Sequence, residues 1–291
     1  LPIIPWVLVN GVEGIAVGFA CRYLPHNPKD IAKACIKAVK GTLKSNHVIP
    51  VTFPGFTGTI TQEEHNKIVS YGTVTRVKRN TWVISEVPWG FDREKFFLTM
   101  ESMMDSGKIQ DFEDECADSK FKFTVKMDGT QDEKCAKDPI AYFKLSRAYS
   151  ENYTALNENG KLIIFNDKLE IVEKFVEFRI KKVEERIAAD VVRQEKELFW
   201  FETKLKFISD VVNKKINILD YKKQDLLYYC SEEYKVDKDM ASRLIGTSIY
   251  EMTSDVIDEL EQKIKKHIAL IDETKLLDSK QVYLDMLQKI A

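Results

Sequence analysis

A long, uninterrupted apolar row constrains this chain more than any other feature. From Leu169 to Val212, apolar residues recur at nearly every third or fourth position, and residues 166–213 contain neither Gly nor Pro. This period is typical of a helix with one apolar stripe. At about 1.5 Å per residue, the predicted outgoing helix over 166–213 is roughly 70 Å long. Because a rod of that length cannot cover its own stripe, we expect it to pair with a second helix.

The second helix is predicted in the same chain, over residues 255–291. A further row with helical spacing includes two polar members: Val256, Leu260, Ile264, His267, Ile271 and Thr274. The two helices are therefore expected to form an antiparallel coiled coil. The tyrosine-rich residues 214–254 between them predict a small helical knob, whose apolar residues form both its core and a protein contact surface.

The first part of the chain, residues 1–165, predicts an α+β domain. One amphipathic helix follows Pro28 and another follows Asp92. Short β-rich segments are predicted at 48–51, 72–77, 81–87 and 121–126, and a turn at 128–130. The chain as a whole is thus predicted to be an α+β domain followed by a long antiparallel coiled coil with a small helical domain.

Three glycines within eight positions, Gly11, Gly14 and Gly18, surround the isoleucine at position 15. Because glycine permits sharp turns and close backbone approach, this segment predicts a tight platform for Ile15. A bulky apolar side chain on such a platform is suited to act as a wedge between stacked base pairs. A buried turn, in which the glycines serve only packing, is the other interpretation of the same residues.

Several segments, in the same order along the chain, resemble motifs of type IIA DNA topoisomerases, in the polypeptide that breaks and rejoins DNA. The first motif is specific, and the later ones gain weight from their order: residues 8–18 with 25–27, then 53–60, 84–89 and 243–253. The segment at 53–60 is closer to the eukaryotic form of the family than to bacterial gyrase. This mixture resembles the family's bacteriophage members, and the resemblance covers almost all of the chain.

The resemblance implies that residues 1–165 are a tower domain beside the DNA gate. It implies that residues 214–254 are the exit-gate (C-gate) knob of a homodimer, and that Ile15 is the family's intercalating isoleucine. Together with nearby basic positions, it predicts nine residues that contact double-stranded DNA: Asn10, Gly11, Gly14, Ile15, Arg22, Lys29, Lys33, Arg76 and Lys78. The predicted dimer contacts are Leu244, Ile249, Tyr250 and Met252.

Catalytic groups are expected outside this sequence. In the family the Arg-Tyr pair precedes the glycine motif, whereas Arg22-Tyr23 follows it here. The nucleophilic tyrosine is therefore expected upstream of Leu1, and no residue is assigned as catalytic. Mg²⁺ and ATP are expected on an ATPase and metal-binding partner subunit, since this chain has no P-loop motif. The acidic residues 111–118 lack the carboxylate triplet of a two-metal site, and we interpret them as a solvated loop.

The basic residues allow two interpretations. A net charge of −2 excludes a general polycation, so DNA binding must come from local clusters. Five lysines recur at helical spacing: Lys29, Lys33, Lys37, Lys40 and Lys44. Arg76 and Lys78 are expected on one face of a strand because alternate residues share a face. A solvated helix face is the simpler interpretation of the lysine row when it is taken without the neighbouring motif, and a solvated strand face is the alternative for Arg76 and Lys78.

The cysteines and histidines bear on the cellular compartment of the protein and on whether it binds zinc. The five cysteines match no zinc pattern and indicate a reducing compartment, and the four histidines show no ligand spacing. His26, next to Asn27, is expected to fix a turn by hydrogen bonding. With no apolar run long enough to span a membrane, we expect a cytoplasmic protein, in the host cytoplasm if it belongs to a phage. Two alternatives stay open: a non-enzymatic coiled-coil scaffold, and a DNA-binding module without a gate.

Overall fold

The structure, a computed structural model, describes residues 1–64, 66–117 and 120–291. The first elements in chain order are α1 (Trp6–Asn10), β1 (Val12–Ala16), β2 (Phe19–Tyr23), α2 (Pro28–Val39), β3 (Thr59–Glu64), β4 (Lys67–Tyr71), β5 (Thr73–Lys78), β6 (Thr81–Glu86), α3 (Arg93–Asp105), β7 (Asp111–Asp114) and β8 (Phe123–Lys126). There follow α4 (Gly129–Lys137), α5 (Pro139–Tyr142), β9 (Ser146–Ser150), β10 (Thr154–Leu156), β11 (Leu162–Ile164), α6 (Lys168–Val212), α7 (Lys223–Tyr234), α8 (Lys238–Ile245), α9 (Ser254–Lys275) and α10 (Ser279–Gln288). Two short 3₁₀ helices cover Ile218–Asp220 and Ile249–Met252.

Residue contacts divide the chain into two compact units. The first unit comprises residues 1–177 together with 286–291, and the second comprises residues 178–285. The predicted mixture of helices and strands followed by a helix of more than forty residues is confirmed, because α6 is 45 residues long. Within the described residues, no helix has the length and apolar character that a membrane span requires.

The first unit is built from antiparallel strands. A four-stranded sheet has the order β5-β6-β8-β7, and a three-stranded sheet has the order β3-β4-β9. Two further pairs, β1-β2 and β10-β11, form separate two-stranded ribbons. Each adjacent pair runs antiparallel. This arrangement is α+β, since helices and strands are not arranged in alternating parallel units.

Apolar clusters hold the sheets of the first unit. Helix α3 packs its buried residues Phe96, Met100 and Met103 into the cluster that contains Ile84 and Phe123, as its spacing predicted. Beside the three-stranded sheet, a second cluster contains Phe53, whose ring stacks on Trp89 with centroids 4.8 Å apart. Burial of these large side chains, each contributing about 1.5–3 kcal/mol, is the main source of stability for the unit.

Local capping explains where several helices begin. The side chain of Asn27 accepts a hydrogen bond from the Lys29 amide at 2.9 Å, and Pro28 occupies the first turn of α2. Asp92 caps α3 in the same way, accepting from the Lys95 amide at 2.7 Å. Such caps satisfy amides that have no partner within the helix, and each contributes about 1 kcal/mol.

The second unit contains the later part of α6, together with α7, α8 and α9. Lys275 pairs with Glu195 at 2.8 Å, and His267 lies 3.2 Å from Glu197. Glu251, which precedes α9, pairs with Lys204. Since later residues of α6 meet earlier residues of the returning segment, the two run antiparallel. A core that includes Phe207, Ile208, Leu226, Leu244 and Leu260 joins all four helices.

Several local expectations differ from the structure. Residues 48–51 form no strand and contribute only one bridge, between Val51 and His26. The predicted turn at 128–130 is instead the start of α4, because Asp128 caps it. Strands β3 and β4 are absent from the predicted elements. The range 255–291, predicted as one returning helix, contains two helices separated at residues 276–278.

The acidic segment also differs from its prediction. Residues Asp111–Asp114 form strand β7 rather than a loop, and Lys126 lies 2.7 Å from Glu113 across the sheet. A solvated edge strand accounts for Asp111 and Glu113, which are exposed, as well as a loop does, whereas the Asp114 side chain is mostly buried beside Arg93. The last acidic residue of this group, Asp118, and the histidine at position 65 lie outside the described residues.

Candidate nucleic-acid interface

The glycine-framed segment folds into a β-hairpin. Strands β1 and β2 pair in register from Val12 with Tyr23 to Ala16 with Phe19, which leaves Val17 and Gly18 as the connecting residues. Gly18 has a φ of +85°, a conformation that favours glycine. No atom lies within 4 Å of the position that a Cβ would take there. The glycine is therefore required by the backbone turn and not by a packed neighbour.

Ile15 lies near the tip of this hairpin and is exposed. It belongs to β1, opposite Ala20, and is 86% exposed. Sequence reasoning placed it on a bare turn, whereas the structure places it in a strand directly before the turn. The neighbouring apolar residues Val17 and Phe19 are also exposed. The interpretation of the segment as a buried turn is wrong for these residues, because their side chains project into solvent.

The base of the hairpin is held firmly. Arg22 exchanges two backbone hydrogen bonds with Asn152, of 2.9 and 2.8 Å. The Tyr23 hydroxyl donates to the Thr154 carbonyl at 3.1 Å. Gly11, with a φ of +68°, lies so close that an added Cβ would be 2.8 Å from the Tyr23 carbonyl oxygen. A tip that is free on a base that is fixed is the geometry required of a rigid wedge.

Asn10, Gly14 and Arg22, three of the predicted DNA contacts, occupy different environments. Asn10 ends α1 and is exposed, and a Cβ on Gly14 would lie 3.4 Å from the Cys21 sulfur. The guanidinium of Arg22 pairs with Glu13 on the same face of the hairpin. This half-exposed pair is available to phosphate only if Glu13 releases it. Because exposed ion pairs contribute little, a phosphate can compete for the arginine.

A buried polar cluster lies below the hairpin, and sequence reasoning missed most of it. His26 is 2% exposed and lies 3.1 Å from the Leu8 carbonyl through Nδ1, and its backbone amide donates to the same oxygen at 2.9 Å. These bonds agree with the expectation that His26 fixes the local chain. Its Nε2 lies 3.0 Å from the Lys168 ammonium. Burial, followed by the charge of Lys168, lowers the pKa of His26 to about 4.

Helix α2 presents its lysines to solvent, as its spacing predicted. Lys29 and Lys33 are exposed, while Ile31 and Cys35 on the opposite side are buried. Lys33 lies 3.6 Å from Asp30, which is half-buried. Helix α2 follows the hairpin directly along the chain and belongs to the same unit, so the contact of its lysines with DNA stays a prediction.

Arg76 and Lys78 do not occupy equivalent positions. The pairing of β5 with β6 shifts register between them, which interrupts the alternation on which their predicted shared face depended. Lys78 is exposed. The guanidinium of Arg76 pairs with Asp132, which also accepts a 2.8 Å hydrogen bond from the Trp82 indole. Burial raises the pKa of Asp132, but its hydrogen bonds outweigh that effect and lower the pKa. Arg76 therefore already has a structural partner.

Known proteins share both the fold and the sequence pattern. A crystal structure of the Plasmodium falciparum topoisomerase II DNA-binding, cleavage and re-ligation domain has a TM-score of 0.85 at 22% identity, and the match covers 100% of this chain and 44% of that one. The DNA topoisomerase medium subunit of Enterobacteria phage T4 is 30% identical over 273 residues, which are 91% of this chain and 60% of the relative. The putative mitochondrial DNA topoisomerase 2 of Caenorhabditis elegans is 24% identical over 312 residues, 100% of this chain and 27% of the relative.

One family model accounts for nearly the whole chain. The model for the A subunit of DNA gyrase/topoisomerase IV matches residues 1–290. The chain belongs to this family. The resemblance carried by the glycine motif and the later segments, including the likeness to a phage member, is thereby confirmed. The chain spans less than two thirds of these two curated relatives.

In this member of the gyrase/topoisomerase IV family, the predicted dimer contacts separate into two groups. Ile249 and Tyr250 are 84% and 86% exposed. Met252 is half-buried, whereas Leu244 is fully buried in the core of the second unit. The prediction of Leu244 as a surface contact is corrected, because its helix α8 turns this residue inward. Sequence reasoning missed Leu219, which is 93% exposed in the same unit.

The described part of this family member has no group of three or more His, Cys, Asp or Glu residues arranged to hold a metal ion. The acidic strand β7 and the residue that follows it are paired with cations instead: Arg93 lies 2.8 Å from Asp114, and Lys122 lies 2.9 Å from Glu115. The residues present therefore do not fit a Mg²⁺ site, and no chemical step is assigned to them.

Proposed function

We propose that this chain is the tower, coiled-coil and exit-gate portion of the breakage–reunion subunit of an ATP-dependent type II DNA topoisomerase. The observation that carries this proposal is the hairpin with Ile15 exposed at its tip and its base held by backbone hydrogen bonds. An exposed isoleucine has no stabilising role in the free protein. The exposure of Ile15 is explained if its side chain inserts between stacked bases of a bound duplex.

In this proposal Ile15 opens one base step of the gate duplex and bends it. Unstacking a step costs a few kcal/mol, which is offset by the additional phosphate contacts that a bent duplex makes. The exposed Lys29 and Lys33 of α2, together with Lys78, would supply such contacts. A wedge reads no base edges, so site choice follows the deformability of the duplex and not its sequence.

The second unit would supply the exit gate. The antiparallel packing of α6 and α9 supports a coiled-coil stalk, with the helical segment between them as the knob at its end. Ile249 and Tyr250 are the residues through which two copies would meet. A modest contact of this kind can open without unfolding either protomer. A second duplex would leave when the knobs of the homodimer separate.

The chemistry belongs to other parts of the assembly in this proposal. The nucleophilic tyrosine, the Mg²⁺ site and the ATP site lie outside these residues, on another segment or on an ATPase and metal-binding subunit. This chain alone would then bind and bend DNA without relaxing it. Host cytoplasm is the corresponding location if the protein is encoded by a phage.

The test compares bent and straight duplexes of one sequence composition over a range of salt concentrations. We expect tighter binding to the bent duplex and a fall in affinity with salt for both. A coiled-coil scaffold would bind neither duplex, and a DNA-binding module without a gate would bind both equally. Either result contradicts the proposal.

A further inference from the structure

The buried cluster below the hairpin has no role in the proposed function so far. Lys168, in the first turn of α6, is almost fully buried, and its ammonium lies 3.3 Å from the carboxylate of Glu151, whose side chain is completely buried. The same ammonium lies 3.0 Å from His26 Nε2 and donates to the Ile49 carbonyl at 3.3 Å. The ammonium therefore has two hydrogen-bond partners and one ion-pair partner, so its buried charge is compensated.

Glu151 connects this lysine to the hairpin. One carboxylate oxygen accepts from the backbone amide of Leu24, the residue that directly follows β2, at 3.2 Å. The other oxygen accepts from the Tyr153 hydroxyl at 2.7 Å. The next residue, Asn152, makes the backbone bridge to the hairpin strand. A single carboxylate thus joins the end of the hairpin, strand β9 and the long helix.

The protonation state of His26 agrees with this geometry. Its lowered pKa keeps the ring neutral at neutral pH, so Nε2 accepts from Lys168 while Nδ1–H donates to the Leu8 carbonyl. Carboxylate and ammonium therefore remain the charged pair, with the neutral ring as a third partner. Segments far apart in the chain meet at this one point.

We propose that Lys168 and Glu151 are positioning residues for the Ile15 wedge, which they act on by fixing the base of the hairpin to the first turn of α6. This inference rests on the proposed function. A two-stranded ribbon is marginally stable by itself, and bent DNA pushes back on the side chain that bends it. The ribbon can hold Ile15 in a base step only if its base does not yield. The buried pair provides the fixed point.

The experiment uses the assembled enzyme and a duplex with dyes at both ends, and it compares wild type with the double variant Lys168→Met/Glu151→Gln. Removing both charges avoids leaving one unpartnered in the interior. We expect the ratio of bent to straight complexes at saturating protein to fall roughly tenfold, which corresponds to about 1.4 kcal/mol, because the wedge is displaced and not removed. The change should largely disappear in an Ile15→Ala background, because the pair acts through that side chain.

Trp82→Phe is the matched control, since it removes one buried hydrogen bond from the four-stranded sheet of the same unit. It should lower thermal stability without changing the bent fraction. Equal bending by wild type and the double variant, or an equal loss in the control, overturns the inference. If the double variant does not fold, Tyr153→Phe replaces it in the experiment, because this substitution keeps the ion pair. We expect a smaller loss of bending in Tyr153→Phe. If that variant bends DNA as wild type does, the inference is overturned. A wild-type enzyme that leaves DNA straight rejects the proposed function itself.

Discussion

Truncation of Ile15 should reduce DNA bending strongly while changing the stability of the protein only slightly. Because Ile15 is 86% exposed, Ile15→Ala removes little buried surface from the folded chain. Truncating a fully buried isoleucine to alanine lowers the free energy of unfolding by about 2–5 kcal/mol. At this exposed position the expected loss is below about 1 kcal/mol, including the weaker strand propensity of alanine. The melting temperature should therefore change by only a few degrees.

The expected effect on bent DNA is larger. The substitution removes three carbons that would be buried between bases, at about 0.8 kcal/mol each, or about 2.4 kcal/mol in total. With a tenfold change for every 1.4 kcal/mol, the ratio of bent to straight complexes should fall roughly 50-fold. Strand cleavage by the assembled enzyme should weaken in parallel.

The assay measures the distance between dyes at the two ends of a short duplex, at saturating protein. Ile164→Ala is the matched control, because Ile164 is also an exposed isoleucine in a two-stranded ribbon of the same unit, 66% exposed. The control should bend DNA as wild type does. An unchanged end-to-end distance for Ile15→Ala would refute the wedge, and an equal change in the control would show that any exposed apolar side chain suffices.

Three other perturbations test the hairpin base, the buried histidine and the dimer contact. Gly11→Ala should lower the free energy of unfolding by about 1–3 kcal/mol in urea titrations, since a Cβ would meet the Tyr23 carbonyl at 2.8 Å on a backbone with φ of +68°; a wild-type midpoint would contradict this. Because the folded-state pKa of His26 is about 4 and its ordinary value is 6.5, stability should fall as pH drops from about 6.5 to 4, by up to about 3 kcal/mol. The urea midpoint of His26→Gln should vary less with pH over that range. A pH dependence identical to that of wild type would show that His26 is not its source. Tyr250→Glu should shift sedimentation from dimer to monomer while leaving the circular dichroism unchanged, because Tyr250 is 86% exposed; a dimer that persists would remove Tyr250 from the interface.

Local signals in the sequence were sufficient for several elements. The stripe of α6 depends only on neighbours three and four residues apart, so its length could be predicted without knowledge of packing. Asn27 and Asp92 cap their helices through amides two or three residues ahead, and these starts were equally predictable. The glycine spacing marked the hairpin segment, although its strands were missed because β-pairing depends on partners outside a local window.

Tertiary contacts decided the rest. The sequence determined that Ile15 is framed by glycines, that α2 carries a basic face and that a long helix follows. Only the folded chain decided that Ile15 is exposed, that Leu244 is buried and that Arg76 is held by Asp132, 56 residues away. Lys168 contacts His26, which lies 142 residues away in the sequence, and no local sequence pattern predicts such a pair. The physical reason is that helical periodicity and caps arise from short-range hydrogen bonds and spacing, whereas burial and charge pairing depend on which distant segments the fold brings together.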